Sequence, residues 1–387
     1  MIWNKKKQNL LLLSEIFLSF LVMYAVFTML AWYYRNYKTP MGLEYEHLWV
    51  VNYSNGLKTQ NTDSVNQYYE VLKQLLKGMP EVREISFTNV NVPFSQVTNS
   101  SMLHYNHVAI GHVNWYQVDE QYKDVLQMEM LQGRWFEKQD VAGKDWPVIL
   151  NQGLAEKIFG KGPAVGKFVF DGNDKTKRRV IGVVKDVKMR GDYAAAQIGA
   201  YNLLDTGAFR WLNRILVRVS PDASAAFEGR LYKTLANYMK NGNVEIEHMT
   251  NKRKAMNYFN LVPIIVLLIV AAFLIINVAL GLFGVLWYNI NKRRGEIGLR
   301  RAIGATGRSV AGQLVSESMI LATFSLLIGL FFAVQFPLLH VFDLPTGVYV
   351  TGIVGSVLFI YILVLICSLY PGRQAAAIYP AVALHED

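Results

Sequence analysis

Three short stretches of this 387-residue chain carry residue types that could do chemistry. In SMLHYNHVAIGHV, His104, His107 and His112 are the kind and number of imidazoles that a zinc site uses. No Asp or Glu within the stretch completes a ligand set, and the histidines alternate with Tyr105, Val108 and Ile110 as on paired β-strands. No metal is expected there. The run from Gly160 to Phe168, GKGPAVGKF, approaches a phosphate-cradling loop, which needs four residues between its glycines and a hydroxyl residue after its lysine. Gly162 and Gly166 enclose three, and Phe168 follows Lys167, so this loop is not expected to bind nucleotide. With no G-x-S-x-G elbow either, the chain is expected to be non-catalytic and to hold no cofactor.

The third stretch is Lys292–Gly307, KRRGEIGLRRAIGATG, directly after an apolar run. Glu296 and Arg300 stand i,i+4 with the acid N-terminal to the base, the favourable order for a helical ion pair. Ile297 with Arg301, and Leu299 with Ile303, share faces of the same short helix. Gly304 is its stop, and Thr306 can cap a following helix, SVAGQLVSESMILA. Two uses fit such an element. It can rest on anionic headgroups, each cation contributing about 1 kcal/mol, or it can be a structured contact for another protein.

Composition says what holds these stretches in place. The chain is 52% hydrophobic and 18% charged, below the roughly 25% charged of soluble proteins. Its net charge of +10 does not point to nucleic acid, because much of it flanks apolar runs. Four runs reach the roughly 20 residues a membrane span requires: Leu10–Tyr34, Leu261–Tyr288, Met319–Leu339 and Val350–Tyr370. The first is too long for a signal peptide and reads as an uncleaved anchor. Lys5, Lys6 and Lys7, then Lys292 to Arg308, then Arg373 place both termini and the basic loop in the cytoplasm. The expected order is a cytoplasmic N-terminus (1–9), span one (10–34), an extracytoplasmic domain (35–259) and span two (260–289). A cytoplasmic loop (290–317), span three (318–340), a short external loop (341–349), span four (350–371) and a cytoplasmic tail (372–387) follow. The lone Cys367 lies in an apolar run and forms no intramolecular disulfide.

Within 35–259, TDSVNQYYEVLKQLLKGMPEV spaces Tyr68, Val71, Leu72, Leu75 and Leu76 as a helix that ends at Gly78 and Pro80. VREISFTNVNVPFS alternates as a strand, WPVILNQGLAEKIFG reads strand, turn and helix, and KFVFDGNDKTKRRVIGVVKDV reads as a hairpin turning at Asp171 to Asp174. ILVRVSPDASAAFEGRLYKTLANYM adds a strand and a helix. The predicted fold class is a membrane protein whose four transmembrane α-helices carry a large α+β domain between the first and second. That domain is expected to have two subdomains, the second around 89–127. Asn277 with Gly281 and Gly284, Ser325 with Gly329, and Gly352 with Gly355 read as helix-packing positions. Glu15 lies near a span end, where charge is tolerated.

The run RRGEIGLRRAIGATGRSVAGQLVSESMILA resembles the permease signature of the MacB/FtsX family of ABC-transporter membrane subunits. Its pattern, R-x-x-E-I-G-(apolar)-x-x-A-(apolar)-G-A and then a helix bearing Glu, is met by Arg293, Glu296, Ile297, Gly298, Leu299, Ala302, Ile303, Gly304, Ala305 and Glu317. The tail PGRQAAAIYPAVALHED resembles the family's end at Pro371, Ala375, Pro380 and Ala383-Leu384. LQGRWFEKQD, WPVILNQGLAEKIFG, VGKFVF and IGVVKDVKMRG follow the order of the family's periplasmic core. This resemblance implies a permease in a bacterial inner membrane, paired with a second permease chain as homodimer or heterodimer. A separate ABC ATPase would bind the ATP and Mg, and a periplasmic or outer-membrane partner is a further expectation. Arg293, Glu296, Ile297, Leu299, Arg300, Arg301, Ile303, Gly304 and Ala305 would couple to that ATPase. The function implied is mechanotransmission to the outer domain for efflux of an antimicrobial compound or peptide or for lipoprotein handling. The alternative is an FtsX-like relay that activates an external partner such as a cell-wall hydrolase.

Overall fold

The computed structural model describes residues 6–54, 61–89, 91–142, 145–171, 176–204, 212–240 and 242–377. Lys5, the Gly172-Asn173-Asp174 turn and the tail positions Pro380, Ala383 and Leu384 lie outside them. The chain divides into two compact units, one made of Met1–Arg35 with Leu261–Asp387, the other of Asn36–Asn260.

Among the described residues, four helices are long and apolar enough to cross a membrane: α1 (Lys6–Lys38), α6 (Met249–Lys292), α8 (Gly307–Leu338) and α9 (Thr346–Ala376). In hydrocarbon a backbone can satisfy its own amides only by coiling or by closing a barrel, and long Leu/Ile/Val runs take the first course. Leu12, Ile16, Phe20 and Tyr24 of α1 meet Val278 and Leu282 of α6, Ala322 and Leu326 of α8, and Ile360 and Val364 of α9 in one core. The second apolar run begins at Leu261, but its helix starts earlier, at Met249. Thr250–Asn260 is polar enough to escape a hydropathy reading and still continues the same helix.

The unit Asn36–Asn260 contains β1 (Leu48–Tyr53), α2 (Thr62–Lys77), β2 (Val82–Thr88), β3 (Ser100–Tyr105), β4 (Val108–Val118), α3 (Tyr122–Leu126) and β5 (Met130–Gly133). It continues through β6 (Trp146–Asn151), α4 (Gln152–Phe159), β7 (Phe168–Asp171), β8 (Thr176–Val184), β9 (Gly199–Leu203), β10 (Arg214–Val219), α5 (Ala225–Tyr238) and β11 (Val244–His248). The strands run β11-β1-β10-β2-β4-β3-β7-β8-β6-β9, and β9 pairs back onto β4 in parallel. The last six strands therefore close into a ring, with the first four as an open sheet on its side. The residue period of two in a strand directs alternate side chains to opposite faces. Trp49, Val51 and Tyr53 of β1 enter a core with α2 and α5, while Leu48 and Val50 enter a second core. In β4, Val113 and Trp115 join a third core, and Tyr116 and Val118 join the second. The stretch 89–127 is thus divided between two cores, with Val92, Phe94 and Tyr122 in one and Leu103 and Ile110 in the other.

Helix α2 departs from its expected face. Val65, Tyr69, Leu72 and Leu76 are buried, whereas Val71 and Leu75 are exposed. The two sets lie on neighbouring stripes of one helix, and the stripe carrying Tyr69 wins because that ring packs edge-to-face on Phe87. The β3–β4 hairpin turns on Asn106 and His107, both in the left-handed region at φ 48° and 63°, the conformation of a two-residue primed turn.

Where the open sheet meets the ring, at the pairing of β2 with β4, Asp119 adds a side-chain tie. Its Oδ1 accepts from Ser86 Oγ and its Oδ2 from the Phe87 amide at 3.0 Å. Burial pushes this carboxyl up to about 6, against the opposing influence of Lys73 and those two hydrogen bonds. The folded state therefore holds the proton more tightly than an unfolded chain, whose carboxyl has the ordinary value of 3.8. The stabilisation is complete below that value and is lost as pH rises through the folded pKa. A shift of about two units corresponds to about 3 kcal/mol. Urea midpoints of the purified chain should fall between about pH 4 and 6, and Asp119→Asn should flatten that slope. An equal slope in the variant would place the titration elsewhere.

Candidate functional site

The basic stretch folds as α7 (Arg294–Ala302), with Gly304 in the left-handed region at φ +104° as its stop. Thr306 caps α8, its Oγ1 accepting from the Ser309 amide at 3.2 Å. Glu296 and Arg300 form the expected ion pair at 2.6 Å, and Glu296 also binds Arg293 Nε at 3.0 Å. The network extends to α8: Arg293 Nη1 donates to Glu317 at 3.3 Å, Arg300 Nη1 to Gln313 Oε1 at 2.8 Å, and Gln313 Nε2 to Glu317 at 3.1 Å. Arg301 Nη1 donates to the Ala376 carbonyl at the end of α9. Beneath these polar ties, Ile297 packs with Ile290, Val310, Leu314 and Ala375.

The nine expected coupling residues therefore divide. Arg293, Glu296, Ile297, Arg300 and Arg301 spend their side chains on holding α7 to α8 and α9. Leu299 and Ile303 are 54% and 78% exposed, and with Gly295 and Ala302 they form one outward stripe. Gly304 is exposed behind that stripe and Ala305 is half-buried. Half-exposed ion pairs contribute about 0.3–0.5 kcal/mol each, and burying Ile297 contributes about 1.5–3 kcal/mol. Gln313 was not singled out by sequence, although its i,i+4 spacing to Glu317 is a readable signal.

The glycines expected at helix contacts differ from one another. A side chain at Gly329 would strike the Phe20 ring, one at Gly352 would strike Thr28, and one at Gly355 would meet Phe27. Ser325 Oγ donates to the Leu13 carbonyl at 3.1 Å. Gly281 receives Glu15, whose Oε2 is buried against it with no hydrogen-bond partner among the described residues. Gly284 faces open space, and Asn277 Nδ2 donates to Phe273 O of its own helix at 2.7 Å.

Among the described residues, no group of three His, Cys, Asp or Glu is placed to hold a metal. His104 pairs with Ala109 within β3–β4, and His107 lies at the turn. In the GKGPAVGKF run the Gly166 amide donates to Val180 O at 2.8 Å, the Lys167 amide to Ala164 O, and the Ala164 amide to Gln132 Oε1. Those amides are committed to the fold and do not face a phosphate.

Comparison with known proteins matches residues 18–231 to a model of the MacB-like periplasmic core domain and residues 264–380 to one of the FtsX-like permease C-terminal region. The Paracoccus denitrificans protein named macrolide export ATP-binding/permease protein MacB 1/2 is 28% identical over 229 residues, 57% of this chain and 34% of that protein. A MacB of Aggregatibacter actinomycetemcomitans is 26% identical over 58% of this chain and 35% of its own length. The chain thus spans about a third of these two relatives. The uncharacterized ABC transporter permease YvrN of Bacillus subtilis is 22% identical over 74% of this chain and 73% of its own. Among solved structures, the periplasmic region of MacB from Actinobacillus actinomycetemcomitans aligns with a TM-score of 0.40 at 19% identity, covering 58% of this chain and 98% of that one.

The two faces of α7 can be read by thiol labelling in membranes, with Cys367→Ser as background. Ile303→Cys should react at a rate close to a free thiol, and Ile297→Cys should be protected at least tenfold. Comparable rates at both positions would contradict the seating of α7 on α8.

Proposed function

Because the chain belongs to the family of ABC-transporter permeases that combine a MacB-like periplasmic core domain with an FtsX-like permease region, we propose that it is the membrane half of an ATP-driven machine. A separate ABC ATPase supplies the nucleotide chemistry, and the outward stripe of α7 is its docking surface. The observation that carries this reading is the pairing of an exposed Leu299–Ile303 stripe with a reverse face fixed by ion pairs and Ile297. A helix serving only as a headgroup anchor would present its arginines outward. Here Arg293, Arg300 and Arg301 are turned to α8 and α9.

In this reading the ATPase binds α7 differently when closed over ATP than when open. Without such differential contact nothing is transmitted. The movement passes along α1 and α6 to the domain inserted between them. Basic residues set both termini and α7 in the cytoplasm and the unit Asn36–Asn260 outside the inner membrane. Two permease chains act together, and a periplasmic or outer-membrane partner receives the movement. The work is efflux of an antimicrobial compound or peptide, a reading supported by the export named in the MacB relatives.

Two measurements test this. Ile303→Asp together with Leu299→Asp should lower stimulation of the co-expressed ATPase at least tenfold while membrane insertion is retained. Undiminished stimulation would reject the docking surface. A cysteine introduced at Asp171 should be labelled by an impermeant reagent from outside spheroplasts, and protection there would reverse the orientation.

A further inference from the structure

The end of α1 and the start of α6 are separated by more than 200 residues of chain, and one loop fastens both. Residues 187–193, VKMRGDY, lie after β8. Val187 and Met189 anchor the loop in the same core as Met256 of α6. Lys188 is 2% exposed, and its Nζ donates to Asn36 O at 2.6 Å, Thr39 O at 3.2 Å and Asp192 O at 2.7 Å. Asn36 belongs to the last turn of α1, where carbonyls lack intrahelical partners and the dipole favours a cation. Three acceptors match the three N–H bonds of an ammonium, one more than a neutral amine offers. Burial, with the nearby Arg253, lowers the pKa of this lysine, and the Asp192 carboxylate opposes that effect. Asn36 Nδ2 completes the tie by donating to Tyr193 O at 2.9 Å.

Asp192 binds the other helix. Its carboxylate receives Arg253 through Nε at 3.0 Å and Nη2 at 2.7 Å, and receives Asn257 Nδ2 at 2.6 Å. The Asp192 amide returns a bond to Asn257 Oδ1 at 2.9 Å, and Asn260 Nδ2 reaches Arg190 O at 2.6 Å. Residues 253, 257 and 260 lie i, i+4 and i+7 on one face of α6, so the loop reads nearly two turns. Gly191 is at φ +86°, and a Cβ there would lie 2.4 Å from Asn257 Oδ1. Glycine is what lets the backbone approach this closely.

Stability alone does not call for this chemistry. Apolar side chains of similar volume commonly match or exceed a buried ionic cluster in stability, whereas charged and bidentate bonds fix direction and register. We propose that the 187–193 loop is a clasp that sets the position of the α1 end against the α6 start. In it, Lys188 and Asp192 are positioning residues for the movement that the proposed function requires. The proposal rests on that function for its purpose but not for its geometry.

The full-length chain allows both to be tested separately. Spin labels at Lys38→Cys and Ala255→Cys, in the Cys367→Ser background, report the spacing of the two helix ends. The expected result is a narrow distance distribution in the parent and a broad one in Asp192→Asn and in Lys188→Met. Arg253→Lys, which keeps the charge but loses the bidentate geometry, should broaden it to an intermediate degree, and this variant keeps the test open should either of the others fail to fold. A second readout is the ATP-dependent fluorescence change of a bimane at Val108→Cys, in the presence of the ATPase. It should fall roughly tenfold in Asp192→Asn while ATPase binding is retained. Unaltered distances in the variants, or broadened distances with an unaltered ATP response, would overturn the clasp. If the parent chain neither binds nor stimulates any ATPase, the functional reading fails, and the label distances still decide the clasp.

Discussion

A helix that turns leucine and isoleucine toward solvent has to be held by its other side, and that constraint governs α7. Arg293, Arg300 and Arg301 reach across to Gln313 and Glu317 of α8 and the end of α9. Each half-exposed ion pair is weak alone, but Glu296 serves two arginines and Arg293 serves two carboxylates. No member can leave without disturbing its neighbours, and Ile297 adds burial beneath them. The consequence is that α7 is fixed to α8 and α9 through several contacts at once, with Leu299 and Ile303 left on its outer side.

The inserted unit is held together by shared strands and cores. Six strands close into a ring and four more extend from it, and β4 supplies side chains to the cores on both its faces. A strand shared in this way resists division, because separating the two parts would open both cores. Asp119 adds a polar tie at the joint between β2 and the end of β4, bonding the Ser86 hydroxyl and the Phe87 amide.

Much of this was legible from local patterns. Spans were readable because a long apolar run in hydrocarbon satisfies its backbone by coiling into a helix. The Glu296–Arg300 pair, the Gly304 stop and the Thr306 cap were readable because each depends on residues within one or two turns. What escaped depends on partners distant in sequence. The buried stripe of α2 is chosen by Phe87 on another element, since Val71 and Leu75 are as apolar as the residues that won. The inward turn of the arginines is set by Gln313, Glu317 and the Ala376 carbonyl, none of which the charge pattern of α7 announces. The ring closes through the parallel pairing of β4 with β9, between residues more than 80 positions apart. The Lys188–Asp192 loop carries no local signal of its role, because the acceptors of Lys188 include backbone carbonyls at Asn36 and Thr39.

The central claim is that α7 meets a nucleotide-driven partner through its exposed stripe. Replacing Ile303 with photoreactive benzoylphenylalanine in cells tests it most directly. A crosslink to an ABC ATPase chain is expected, with a yield that changes when ATP hydrolysis is blocked. A crosslink to lipid alone, or an ATPase crosslink with the same yield in both nucleotide states, would contradict it.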